Sequence, residues 1–174
     1  MESAMNLNRR YDSPRAGGRL PGERSCGTGG VLVFHVSAVA ALLLLIACSS
    51  DDKEARRDAA GPAPSHEALA RVASASAGAA LFRQCSACHA ISPGAPDRDG
   101  PNLFGVMGQV VGRHSARFGY TAALQQAGGR WTPERMDAWL TNPQHFAPGT
   151  AMGFAGLPDP LDRADVVAYL QEQR

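Results

Sequence analysis

The chain has 174 residues, of which 6% are aromatic and 19% charged, and its formal net charge at pH 7 is +1. This balance argues against a nucleic-acid-binding protein, which normally carries a basic face. The length allows one ordinary domain with extensions, and the clumped apolar residues predict a folded part of about 100 residues. So small a domain with few aromatic residues has little apolar surface to bury, so a large buried cofactor is expected to complete its core.

The N-terminal part, residues 1–47, has the pattern of a leader. Residues 1–30 are rich in Arg and Gly, and five arginines precede an apolar run over residues 31–47 that contains no Asp, Glu, Lys or Arg. Basic residues ahead of an apolar stretch favour an orientation with the basic end in the cytoplasm. The length of the run suits a secretory signal slightly better than a full membrane span. We therefore predict that residues 1–47 are an export signal or an uncleaved signal anchor.

A cysteine stands immediately after the apolar run. The sequence LIACS over residues 45–49 resembles the lipobox at which bacterial lipoprotein precursors are acylated on the cysteine and cleaved before it. The resemblance implies that Cys48 is a lipidated mature N-terminus, which several acyl chains would hold firmly at a membrane. In the alternative, the run remains as a signal anchor and Cys48 is a passive thiol. Either case places the remainder outside the cytoplasm, on the periplasmic side of a membrane.

Residues 48–74 are predicted to be a flexible tether. They contain a block of mixed charge at residues 51–58, a Gly-Pro-Ala-Pro sequence at 61–64 and few large apolar residues, a composition that does not favour packing. A flexible segment of this length spans on the order of 25 to 30 Å. The alternative is a helix from Ser65 onward that extends the first helix of the following domain.

The sequence CSACH at residues 85–89 has the spacing of a haem-attachment motif. Two cysteines three residues apart can reach the two vinyl groups of a haem, and His89 can supply an axial nitrogen. A short helix over residues 79–84 is expected to deliver Cys85 and Cys88. The same sequence pattern also occurs in redox dithiols and in zinc sites. His114 and His145 are candidates for a second axial ligand or for completing a zinc site, although solvated loop histidines are the expectation.

The C-terminal half predicts helices separated by glycine-rich loops. Residues 109–129 contain four glycines and predict a loop with one short helix over residues 122–127. Thr132, Pro133 and Glu134 form a helix start whose apolar face carries Met136, Trp139 and Leu140, and Asn142-Pro143 ends that helix. A last helix is expected to start at Asp159-Pro160 and to run nearly to Arg174, with its apolar side formed by Leu161, Val166, Val167, Tyr169 and Leu170.

One methionine lies in a loop bounded by Gly and Pro, residues 148–154. A methionine in a core is usually a filler of irregular gaps, which is our interpretation of Met107 and Met136. We interpret Met152 differently, as a candidate haem ligand, because it lies in this loop. Its thioether is a soft, neutral ligand that favours ferrous haem and raises the reduction potential.

These motifs together resemble class I cytochromes c over residues 75–174. The matching features are Gly78-x-x-x-Phe82-x-x-Cys85-x-x-Cys88-His89, then Gly100-Pro101-Asn102-Leu103, then Asn142-Pro143 with the Met152 loop, together with Trp131 and Tyr169 at the family's spacing. The resemblance implies an all-α fold of three main helices, with short helices and loops wrapped around one covalently bound haem c. It also implies that Cys85 and Cys88 form the thioethers and that His89 and Met152 are the axial ligands.

The resemblance also implies secondary haem contacts and a function. The Pro101 carbonyl would orient His89, and Tyr120 and Trp131 would donate to a haem propionate. Gln109, Leu124 and Trp139 depart from common family residues, which is expected to shift the potential. The implied protein is a monomeric electron carrier, not an enzyme, that passes single electrons between donors and acceptors such as a respiratory complex, an oxidase or a reductase. The enzyme-class alternative is a haem peroxidase or ligand sensor in which the Met152 position opens.

Overall fold

The computed structural model describes residues 52–174, and this part is helical, which confirms the all-α prediction. Its only β-pairing is an isolated bridge between Val110 and Arg130. None of the described helices is long and apolar enough to cross a membrane. The predicted leader and Cys48 lie outside the described residues. The helices are α1 (residues 52–60), α2 (His66–Val72), α3 (Ala75–Phe82), α4 (Ala122–Ala127), α5 (Pro133–Thr141), α6 (Pro143–Phe146) and α7 (Pro160–Glu172), with a 3-10 turn over Cys85–Ala87.

The crossing of α3 and α7 is the central contact of the fold. Gly78 is where the two backbones meet, since a Cβ atom there would lie 2.0 Å from the Asp165 carbonyl oxygen. One turn further along, the rings of Phe82 and Tyr169 pack with centroids 5.3 Å apart. Glycine is therefore required at the crossing because only hydrogen fits between the helices.

Helix α5 forms as its sequence predicts. The Thr132 hydroxyl accepts a hydrogen bond from the Arg135 amide, Pro133 occupies the first turn, and Met136, Trp139 and Leu140 are buried. The predicted helix over residues 122–127 is likewise present as α4. Asn142 ends α5 but also begins α6, because its side-chain oxygen accepts from the His145 amide. This short additional helix was not predicted.

Helix α7 begins at Pro160 and is capped by Asp159, whose carboxylate accepts from the Leu161 amide. It ends at Glu172, close to the predicted end. The apolar side is buried as expected, with Tyr169 half-buried beside it. The sequence analysis did not predict that Asp165, on the same helix, would be only 1% exposed.

The expectation of a flexible tether does not describe residues 52–73. Helix α1 and helix α2 fill most of this segment, and Leu69 of α2 is only 6% exposed. The alternative helix does begin after Ser65, but it ends at Val72, and extended backbone at Ala73 separates it from α3. The physical reason is charge complementarity, because Lys53, Arg56 and Arg57 pair with carboxylates of α7 and of its capping residue Asp159.

Candidate haem-binding site

The CSACH sequence folds into a tight turn directly after α3. The amides of Cys88 and His89 both donate to the Cys85 carbonyl, at 3.1 and 3.0 Å. Side chains three residues apart in a 3-10 turn lie nearly above one another, so both cysteines share one side of the turn. Cys85 is half-buried and Cys88 is exposed. Burial raises the pKa of the Cys85 thiol, so it is neutral before any bond is made.

The imidazole of His89 is held in a single orientation. Its Nδ1 lies 2.8 Å from the Pro101 carbonyl oxygen, and since a carbonyl only accepts, Nδ1 carries the proton and Nε2 keeps its lone pair. Burial lowers the pKa of His89, outweighing the opposite effect of the Pro101 bond. The ring also packs on Gly100, where a Cβ would lie 2.3 Å from Cε1. The side chain is therefore a neutral, oriented nitrogen donor.

The loop that carries Pro101 is fastened to the CSACH turn and to itself. The Gly100 amide donates to the Cys88 carbonyl at 2.9 Å. The Asp97 carboxylate accepts from the Asn102 amide at 2.8 Å and from the Ser115 hydroxyl at 2.6 Å. Bonds from Ser115 and Asn102 lower the pKa of Asp97. Asp97 supports the loop but was missed by the sequence analysis, since nothing in the sequence indicates that Ser115 would reach it.

The Met152 loop is also held in place by hydrogen bonds. Gln144 of α6 donates from Nε2 to the Thr150 carbonyl at 3.0 Å and to the Met152 carbonyl at 3.3 Å. The Thr150 amide closes a turn onto the Ala147 carbonyl at 2.9 Å. The Met152 side chain is half-buried and packs against the core. The sequence analysis did not predict that Gln144 holds this loop, because α6 itself was not predicted.

The two predicted propionate donors occupy different surroundings. The Tyr120 hydroxyl oxygen accepts from the Ser115 amide at 3.1 Å, which leaves its own O–H able to donate elsewhere. Burial raises the pKa of Tyr120. Trp131 is 6% exposed and stacks on Phe146, with centroids 5.7 Å apart and planes at 22°. Both side chains belong to or pack against the same core.

The rival histidine ligands are placed as ordinary polar side chains. His114 Nε2 lies 2.9 Å from the Phe104 carbonyl oxygen, and His145 is exposed on α6. Across residues 52–174, no group of three or more His, Cys, Asp or Glu side chains is arranged to hold a metal ion. The described residues therefore give no support to the zinc interpretation.

The donor set and its surroundings fit a haem. The chain provides two thiols on one side of a turn, a neutral imidazole with a free Nε2 and a thioether on a separate loop. Several apolar side chains pack against the core yet remain partly exposed, as a flat apolar cofactor would require. They include Leu81, Cys85, Ile91, Leu103, Tyr120, Met152 and Phe154.

Comparison with known proteins places the chain in one family. The family model described as cytochrome c matches residues 75–174. A cytochrome c homolog of Bradyrhizobium diazoefficiens is 43% identical over 127 residues, which cover 72% of this chain and 69% of that protein. The cytochrome c of Theileria annulata is 43% identical over 96 residues, covering 55% of this chain and 82% of that protein.

A solved structure, cytochrome cH from Methylobacterium extorquens, superposes with a TM-score of 0.54 at 34% identity. The superposition covers 57% of this chain and 98% of cytochrome cH. The family match, the relatives and the helical fold agree with the haem-attachment motif. The chain therefore belongs to the cytochrome c family of electron carriers, and its cofactor is one covalently attached haem c.

Proposed function

We propose that this protein is a membrane-anchored, extracytoplasmic electron carrier whose haem iron is ligated by His89 and Met152. The observation that carries the proposal is the Nδ1–H bond from His89 to the Pro101 carbonyl. This bond fixes the tautomer in which Nε2 can bind iron and increases the basicity of the imidazole. Haem c supplies the one-electron couple, and the chain supplies attachment through Cys85 and Cys88, ligation and a low-polarity surrounding.

The remaining haem contacts have distinct proposed roles. Met152 supplies a neutral thioether that favours the ferrous state, while the Gln144 bonds hold its loop in place. Tyr120 has a free O–H to donate to a propionate because its oxygen already accepts from Ser115. Trp131 is proposed as the second propionate donor, held by stacking on Phe146.

The expected effect of Met152→Ala is a fall in reduction potential on the order of 100 mV, because the thioether that favours ferrous iron is lost. Equilibrium redox titration of the haem-loaded protein measures this fall. Met107→Ala is the matched control, since Met107 lines a separate concavity of about 390 Å³ with Leu170, Gln173 and Arg174 at the end of α7. Equal potentials in the parent and Met152→Ala would exclude Met152 as a ligand.

We further propose that Cys48 is acylated and anchors the protein. The support is the LIACS sequence after an apolar run that carries no Asp, Glu, Lys or Arg. Intact-mass analysis of membrane fractions is expected to show acyl chains on the parent and on the control Cys26→Ala, and none on Cys48→Ala. A Cys48→Ala mass that differs from the parent only by the substitution would leave the uncleaved signal anchor as the attachment.

The proposed partners are redox proteins exposed on the same side of the membrane. Residues 72–174 contain eight arginines and eight acidic residues, and the single lysine of the chain, Lys53, is paired with α7. Long-range electrostatic steering is therefore expected to be weak. Attachment to a shared membrane would compensate by raising the local concentration of carrier near its partners.

A further inference from the structure

Residues 52–73, here called the strap, carry three cations that face the acidic start of α7. Lys53 Nζ lies 3.0 Å from Asp159 and also pairs with Asp162, while Arg57 pairs with Asp159. These outer pairs are partly exposed, and each alone is worth little. Together they connect α1 to the start of α7.

The pair between Arg56 and Asp165 is buried. Two guanidinium nitrogens of Arg56 reach the two carboxylate oxygens at 2.7 and 3.1 Å. The Asp165 side chain is 1% exposed and that of Arg56 is 14% exposed. The Ser74 amide donates to the same carboxylate at 2.7 Å, and Arg56 also donates to the Val72 carbonyl at 3.2 Å. Without Arg56, the carboxylate would be a buried charge with no cation partner, which strongly destabilises a fold.

The strap also makes apolar contact with α7. Leu69 of α2 is 6% exposed, and Leu161 of α7 is 1% exposed. Both line a concavity of about 430 Å³ whose other walls include Arg57, Pro62 and Pro64. Burial of these side chains adds a hydrophobic contribution to the docking.

Similarity to the Bradyrhizobium protein extends into the strap. The alignment with that protein covers 127 residues, whereas the cytochrome c family model covers only residues 75–174. Because 72% of the 174 residues are aligned and residues 75–174 number 100, some aligned residues lie before Ala75. The similarity to this relative therefore includes residues of the strap, beyond the part that the family model matches.

We propose that the strap is an integral part of the folded domain, locked to α7 by Arg56, and that it turns the α1 side of the domain toward the membrane. Asp52 is four positions after Cys48, a reach of at most about 14 Å. A free tether from Cys48 to Ser74 could extend on the order of 90 Å. The orientation part of this inference rests on the proposed anchoring through Cys48, whereas the docking does not.

Hydrogen exchange of the full-length, haem-loaded protein tests the docking. Amides of α2 are expected to exchange at least about tenfold more slowly than free peptide, because opening α2 requires breaking its contacts with α7. Arg56→Ala is expected to remove most of that protection. The control Arg71→Ala should not, since among the described residues Arg71 pairs only within α2, with the exposed Glu67 at 2.7 Å. Unprotected α2 amides in the parent would overturn the proposal, whether or not Arg56→Ala folds.

Energy transfer from headgroup-labelled lipids to the haem tests the orientation in vesicles. The parent is expected to give a narrow distribution of donor lifetimes, and Arg56→Ala a broader one, while Arg71→Ala should match the parent. Protein that does not float with vesicles would contradict the anchoring proposal. If both proteins float with vesicles and the parent gives a distribution of donor lifetimes as broad as that of Arg56→Ala, the fixed orientation alone would be overturned.

Discussion

Gly78→Ala is expected to lower the free energy of unfolding of the haem-loaded protein by about 3 kcal/mol or more, because overpacking against backbone cannot be relieved by a side-chain rotation. The added Cβ would lie 2.0 Å from the Asp165 carbonyl oxygen and 2.9 Å from the Tyr169 Cβ. Helices α3 and α7 would have to separate, and the contact between Phe82 and Tyr169 would open. For a domain of this size the loss corresponds to a fall in Tm of about 12 °C or more.

Chemical denaturation followed by circular dichroism measures this change. Gly119→Ala is the matched control, since a Cβ at Gly119 meets nothing within 4 Å and its φ is not positive. If Gly78→Ala were as stable as Gly119→Ala, α3 and α7 would not cross where the structure places them.

Gly100→Ala is expected to displace the imidazole of His89 and to disturb iron ligation. The added Cβ would lie 2.3 Å from Cε1, 2.6 Å from Nδ1 and 2.8 Å from Nε2 of that ring. The ring cannot move away and keep its Nδ1–H bond to the Pro101 carbonyl, because that bond fixes its plane. We expect most of the covalently loaded protein to lose its low-spin visible spectrum.

The control for Gly100→Ala is Gly153→Ala. Gly153 follows Met152, the other proposed ligand, but a Cβ at Gly153 would have open space around it. Gly153→Ala should keep the parent spectrum. An unchanged spectrum in Gly100→Ala would mean that the packing of His89 on Gly100 is not maintained in the haem-loaded protein.

The starts of α5 and α7 were predictable because a local signal sets each of them, although the same signal at Asn142-Pro143 was interpreted only as the end of α5. Thr132 with Pro133, and Asp159 with Pro160, each place a capping side chain before a proline in the first turn, and both helices start there. The candidate haem-attachment motif was recognisable for the same reason. Its chemistry depends on spacing within one turn of chain, which the sequence displays directly.

Features that depend on residues far apart in the chain were not predictable in this way. Arg56 and Asp165 are separated by 109 positions, and the charged block around Arg56 has the composition of a solvated segment. Only the structure shows that a complementary carboxylate lies buried on α7. Gln144 and Asp97 bond to backbone only 6 and 5 positions away, at Thr150 and Asn102, but they were missed because the paths of those loops are set by tertiary packing.

Carbon monoxide binding tests the account most directly. The full-length protein, matured in a periplasm with haem-attachment machinery, would be examined by visible spectroscopy in oxidised and reduced forms and then with carbon monoxide. Ligation by both His89 and Met152 predicts a low-spin spectrum that carbon monoxide does not change, as expected of an electron carrier. Rapid binding of carbon monoxide to the reduced protein would contradict it, since Met152 would then not occupy the sixth position and the protein would suit ligand sensing or peroxidase chemistry.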